Sequence, residues 1–77
     1  MERAHSHETI AQTFFSNLFA SRAAQDGAVV RRKVRDVERF VGRAAFYAEV
    51  QRRGFQLIEN GGQFIVVCNR EPLKVHF

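Results

Sequence analysis

The sequence predicts an α+β domain: a three-stranded antiparallel meander packed on one long helix, with an amphipathic helix ahead of it. Three observations carry this. Residues 55–77 read as short runs of alternating apolar residues broken by turn residues, the mark of strands. Residues 36–53 place Val37, Phe40, Val41, Ala44, Tyr47 and Ala48 at steps of three and four, the spacing of one helix face. Residues 6–24 repeat that spacing with Ile10, Phe14 and Leu18, and again with Phe15 and Phe19.

Each element has its own grounds. Ser6 suits a helix N-cap, and Glu8 in the first turn favours the exposed amides there. Asp26-Gly27 is a turn signal that closes this segment. The chain then divides into an N-terminal amphipathic helix, residues 1–27 with a frayed start, and a compact α+β domain, residues 28–77. Residues 28–34 fit a short edge strand, with Val30 and Val34 on one face, or equally the lead-in to the next helix. Asp36 is a candidate N-cap for the 36–53 helix. Gly42, in its middle, costs about 1 kcal/mol relative to Ala and marks a kink or a break into two helices. Arg52-Arg53-Gly54 places cations on the last carbonyls and a glycine after them, which stops the helix.

Phe55–Glu59 and Gln63–Cys68 flank Asn60-Gly61-Gly62, the chemistry of a tight hairpin turn. That pairing sets Phe55 and Leu57 on the side of Phe64, Val66 and Cys68. A turn at Arg70-Glu71 leads to a last strand from Pro72, with Leu73, Val75 and Phe77 on the same oily face, pressed against the helix. The opposite face reads Gln56, Ile58, Asn60, Ile65, Val67, Lys74 and His76. Its three aliphatics call for a cover, either the Phe-rich first helix or a second copy of the chain.

Size and composition narrow the function. A chain of 77 residues buries only about 60% of the surface it exposes when unfolded, so self-association is one route to stability. The single cysteine, Cys68, rules out an internal disulfide and favours a reducing, cytoplasmic setting. No apolar run approaches the roughly 20 residues of a membrane span. Net charge is +4, and ten of the 12 basic residues are Arg, whose planar fork suits phosphates and carboxylates.

Eight cations face three acids between positions 31 and 53. Arg35, Arg39 and Arg43 recur every four residues, one ridge on an unbroken helix. With Arg31, Arg32 and Lys33 they point to phosphate, hence to nucleic acid. No Asn or Gln stands on the ridge to read bases, so little sequence specificity is expected. The bland counterpart is a solvated face. A second reading is a protein-interaction module, a homodimer joined through Phe14, Phe15, Leu18, Phe46, Ile58, Ile65 and Val67, in which the arginines only confer solubility. Phe46 and Val50 fall on the outward side of the 36–53 helix in that scheme.

Enzymatic chemistry finds no support. Cys68 lies on the core face, where a thiol behaves as a small hydrophobe. His5, His7 and His76 lack ligand spacing, so neither a metal nor another cofactor is expected. No nucleophile–base or paired-carboxylate pattern stands out, and a domain this small has little room for a substrate cleft.

Residues 45–77 resemble in layout the small toxin domains of the HicA type, which run from a basic helix through Gly-Phe into a glycine-turned hairpin. Gln63 stands where that family has its catalytic His, so no catalytic role carries over. A winged helix-turn-helix ranks lower, because Gly42 to Gly54 is short for a turn plus a recognition helix.

Overall fold

A computed structural model describes residues 6–77, with side chains described from Ile10 onward. Seven short elements follow one another: α1 (Ser6–Phe19), α2 (Arg22–Gln25), β1 (Val29–Lys33), α3 (Val34–Phe40), α4 (Arg43–Arg52), β2 (Gln56–Asn60) and β3 (Gln63–Val67). The expected frayed start and the His5 position lie outside the described residues, as does the Ser6 side chain. No helix among the described residues is long and apolar enough to cross a membrane.

The molecule is α+β with a three-stranded antiparallel sheet, but the third strand is not the expected one. The strand order is β1-β3-β2. Hairpin strands β2 and β3 pair as the turn chemistry requires, with Leu57 opposite Val66 and Ile58 opposite Ile65. The other edge of β3 is taken by β1, with Val29 opposite Val67 and Val30 opposite Val66. Four β-branched residues thus meet directly across two strands, a favourable cross-strand set. The Cys68 amide extends the ladder to the Ala28 carbonyl, 2.9 Å. With β3 central, no edge of it is left for residues 72–77. They carry no regular secondary structure, and Leu73, Val75 and Phe77 are exposed instead of joining the core face. Within residues 28–34, Val29–Lys33 therefore resolve as an edge strand, and Val34 opens the next helix.

The long helix is broken at Gly42. Its backbone, φ 95° and ψ 145°, lies in a region that side-chain-bearing residues avoid. The amides of Val41 and Gly42 both close on the Val37 carbonyl, and α4 restarts with the Phe46 amide on the Gly42 carbonyl. The first half begins at Val34, ahead of the expected Asp36. Its Val34 amide donates to the Gly62 carbonyl, 2.9 Å, so the hairpin turn satisfies an amide that a side-chain cap would otherwise take.

That break resets the helical phase. Phe46 and Val50 point inward and are buried, while Ala44, Tyr47 and Ala48, expected on the buried stripe, are exposed. The core joins Leu18 and Phe19 of α1, Val37 of α3, Phe46 and Val50 of α4, and Val30, Phe64 and Val66 of the sheet. Phe14 and Phe15 each stand 6.4 Å, ring to ring, from Phe46. The Phe-rich helix thus packs over α3 and α4, and the second face of the sheet stays uncovered by it.

In sequence the elements run two helices, a strand, two helices separated by Val41 and Gly42, and a hairpin. The toxin-like layout extends no further than the hairpin, since the third strand comes from ahead of α3 and α4.

Candidate nucleic-acid interface

The cations expected to hold phosphate start on β1. Strand alternation sends Arg31 and Lys33 to the open face of the sheet, beside Ile65 and Gln63, their partners on β3. Arg32 turns the other way, half-buried, and donates from Nη1 to the Arg31 carbonyl at 2.7 Å. Val34 then anchors α3 in the core, which leaves Arg35 and Arg39 exposed one turn apart. Arg39 lies 5.5 Å from the ring centroid of its neighbour Phe40. Among the described residues none of Arg31, Arg32, Lys33, Arg35 and Arg39 forms an ion pair.

Arg43 is different. Its Nε donates to Glu38 of α3 at 2.8 Å. Its Nη1 donates to Glu59 of β2 at 3.1 Å and to the Tyr47 hydroxyl at 2.8 Å. Its guanidinium also sits 5.3 Å above the Phe64 ring. Hydrogen bonds to Glu59, then Glu38, then Tyr47 hold its pKa above the ordinary arginine value. Two carboxylates around one cation leave no net positive charge to offer a phosphate. The Gly42 break also takes Arg43 off the line of Arg35 and Arg39, so the expected three-residue ridge shortens to two.

Arg52 and Arg53 are engaged as well. Each bonds Glu49 at 2.7 Å, and Arg53 stacks 4.0 Å from the Phe19 ring centroid. The Arg52 hydrogen bond, joined by that from Arg53, holds the Glu49 carboxyl below its usual range against the opposing effect of burial. What α4 shows to solvent is Ala44, Ala45, Tyr47, Ala48, Gln51 and the Glu49-paired Arg52.

Where the start of α3 meets the hairpin tip lies a shallow cavity of about 450 Å³, lined by Lys33, Val34, Arg35, Glu38 and the Gly61–Gln63 turn. No atom outside their immediate neighbours stands within 4 Å of where a Cβ would project from Gly61 or Gly62. Lys33 and Arg35, which form no ion pair among the described residues, and an unencumbered stretch of backbone therefore share one end of the molecule.

No protein-family model, no curated protein and no solved structure matches this chain.

The residues proposed for an interaction surface divide sharply. Leu18 and Phe46 are fully buried in the chain's own core, Val67 is buried, and Phe14 and Phe15 pack against that core. Ile58 is exposed, and Ile65, like Phe14 and Phe15, is half-exposed. Among the described residues no group of three or more His, Cys, Asp or Glu stands together as a metal site. Burial pushes the Cys68 thiol up, the behaviour of a packed residue rather than a nucleophile. Sequence reasoning missed the Glu38–Arg43–Glu59 cluster. Glu59 lies 16 residues from Arg43 and meets it only after the hairpin folds back.

Proposed function

We propose that this chain is a non-enzymatic nucleic-acid-binding domain that holds backbone phosphates with Arg31, Lys33, Arg35 and Arg39. The observation that carries the reading is a division of labour among the arginines. Arg43, Arg52 and Arg53 are occupied by carboxylates, whereas the cations of β1 and α3 have no ionic partner among the described residues. Arginines kept only for the fold's sake would sit beside acids, as those three do. The glycine hairpin tip next to them lets a sugar–phosphate backbone approach closely.

The reading includes weak sequence discrimination. Base edges are read by Arg, Lys, Asn and Gln side chains, and the exposed side of α4 offers of these only Gln51 and Arg52, the latter paired with Glu49.

The test is a salt titration. Binding to generic duplex DNA and to generic RNA should weaken steeply with salt. Four neutralised phosphates give a slope of log K against log salt of roughly −3 to −4 on duplex DNA. Replacing Arg31, Lys33, Arg35 and Arg39 together by Ala should abolish binding, while Arg52→Ala should leave the slope as it was. Absence of binding at about 50 mM salt, or equal binding by the fourfold variant, rejects the proposal.

A further inference from the structure

We infer that the β2–β3 hairpin enters the major groove of duplex DNA turn-first, where Asn60 and Gln63 contact base edges and favour adenine. This rests on the phosphate reading above and deepens it. The cations hold the backbone, and these two amides add a base contact.

The register builds the contact. Lys33 lies opposite Gln63, and Gln63 opposite Asn60, so the three stand in one row across the sheet. Directly opposed residues share a face, here the open one, and all three are exposed. Arg31 heads the next such row on the same edge strand, opposite Ile65. Past Asn60 and Gln63 the hairpin ends in Gly61 and Gly62, with open space where each Cβ would stand. Nothing on the turn itself holds the two amides away from a groove floor.

The amides of the sheet divide as the arginines do. Gln56, at the other end of the open face, donates to the Asn69 and Glu71 carbonyls at 3.2 and 2.7 Å. Asn69 donates to the Gly27 carbonyl at 2.8 Å. Both hold the chain's own backbone. The Asn60 and Gln63 side chains form no hydrogen bond among the described residues. Glu59, the acid next to Asn60, is turned by strand alternation to the other face, where it accepts from Arg43.

Groove dimensions select the partner. Two inter-strand spacings separate Lys33 from Asn60 by about 10 Å. The major groove of B-DNA, about 12 Å wide, admits a ribbon of that size, and the minor groove, about 6 Å wide, does not. The deep, narrow major groove of A-form RNA excludes side chains. With Gln63 and Asn60 over the bases, Lys33 and Arg31 stand at the rim, beside phosphates. A side-chain amide pairs with adenine twice, donating to N7 and accepting from the N6 amino group. Guanine offers two acceptors at the same place, so the amide carbonyl goes unpaired.

The experiment compares the affinity of the full chain for equal-length duplexes of A·T and of G·C pairs at one salt concentration. The A·T duplex should bind at least about fivefold tighter. Replacing its adenines by an analogue with carbon in place of N7, which leaves the minor groove unchanged, should remove the preference without altering the protein. Asn60→Ala with Gln63→Ala should bring the two duplexes level and keep the parent dependence on salt, because the phosphate contacts remain. Equal, salt-dependent binding of both duplexes by the parent chain overturns this inference and leaves the phosphate reading standing. A preference that survives the double variant or the analogue overturns it too, as does tighter binding to duplex RNA than to either DNA. Absence of binding to any duplex defeats the phosphate reading, and this inference with it.

Discussion

Glu38 on α3 and Glu59 on β2 both reach the Arg43 guanidinium, which rests on the Phe64 ring. One side chain thereby joins three elements at the edge of the core. Arg43→Ala leaves the two carboxylates near each other with the cation gone. It should lower the urea midpoint at neutral pH, and clearly more than Arg35→Ala or Arg39→Ala, which should match the parent. Equal effects from all three would remove the distinction between structural and free arginines on which the phosphate reading rests. Phe46 is fully buried among Phe14, Phe15 and Phe64. Phe46→Ala should cost about 3–5 kcal/mol, a large part of what so small a domain has, and show as a strongly lowered melting temperature. Glu49 contributes to the acid limb. Its carboxyl titrates below its unfolded value because Arg52 and Arg53 favour the charged form. The stability it adds is therefore complete above the unfolded carboxylate pKa, about 4.3, and is lost as pH falls through the lower folded value. Glu49→Gln should flatten that part of the urea-midpoint profile between neutral pH and about pH 2 and leave the rest unchanged.

At the scale of elements, the decisive residue is Gly42. A run of apolar residues at steps of three and four continues through it, so periodicity alone joins α3 and α4 into one helix. The joined helix turns Ala44, Tyr47 and Ala48 inward and Phe46 and Val50 outward. The real chain does the reverse, because the positive φ at Gly42 ends one helix and starts another with a different phase. Phe46 and Val50, wholly apolar, suit the core better than two alanines and Tyr47, whose hydroxyl needs a partner. Gly42→Ala isolates the backbone contribution, since an added Cβ meets nothing within 4 Å. The expected loss is about 1–3 kcal/mol from the strained dihedrals, seen as a lower urea midpoint with an unchanged m-value. An effect near zero would mean that the break does not need glycine. The hairpin is the opposite case. Its turn residues, its alternation and the inward side of Phe55, Leu57, Phe64, Val66 and Cys68 were all legible, because register there is set by neighbours only a few positions apart.

Over the whole molecule, one sheet edge decides the architecture. Two segments compete for the free side of β3: Val29–Lys33, which arrives from the N-terminal side, and residues 72–77, which follow it. Both have strand-like composition. The first wins because its Val29 and Val30 fall opposite Val67 and Val66, and because α3 continues from it straight onto the hairpin tip through the Val34 amide. That outcome also places Arg31 and Lys33 on a sheet and Arg35 and Arg39 on the helix that follows, around one end of the molecule. The class of fold, the hairpin with its inward face, the stop after Arg53, the possibility of a break at Gly42 and the cationic stretch from Arg31 were determined by the sequence alone. All depend on spacing within about 20 residues, where side-chain alternation and turn chemistry act directly. The identity of the third strand, the inward turn of Phe46, the capture of Arg43 by Glu59 and the exposure of Leu73, Val75 and Phe77 were decided by the tertiary structure. Each depends on which residues distant in sequence share a surface in the folded chain, and local pattern carries no record of those pairings.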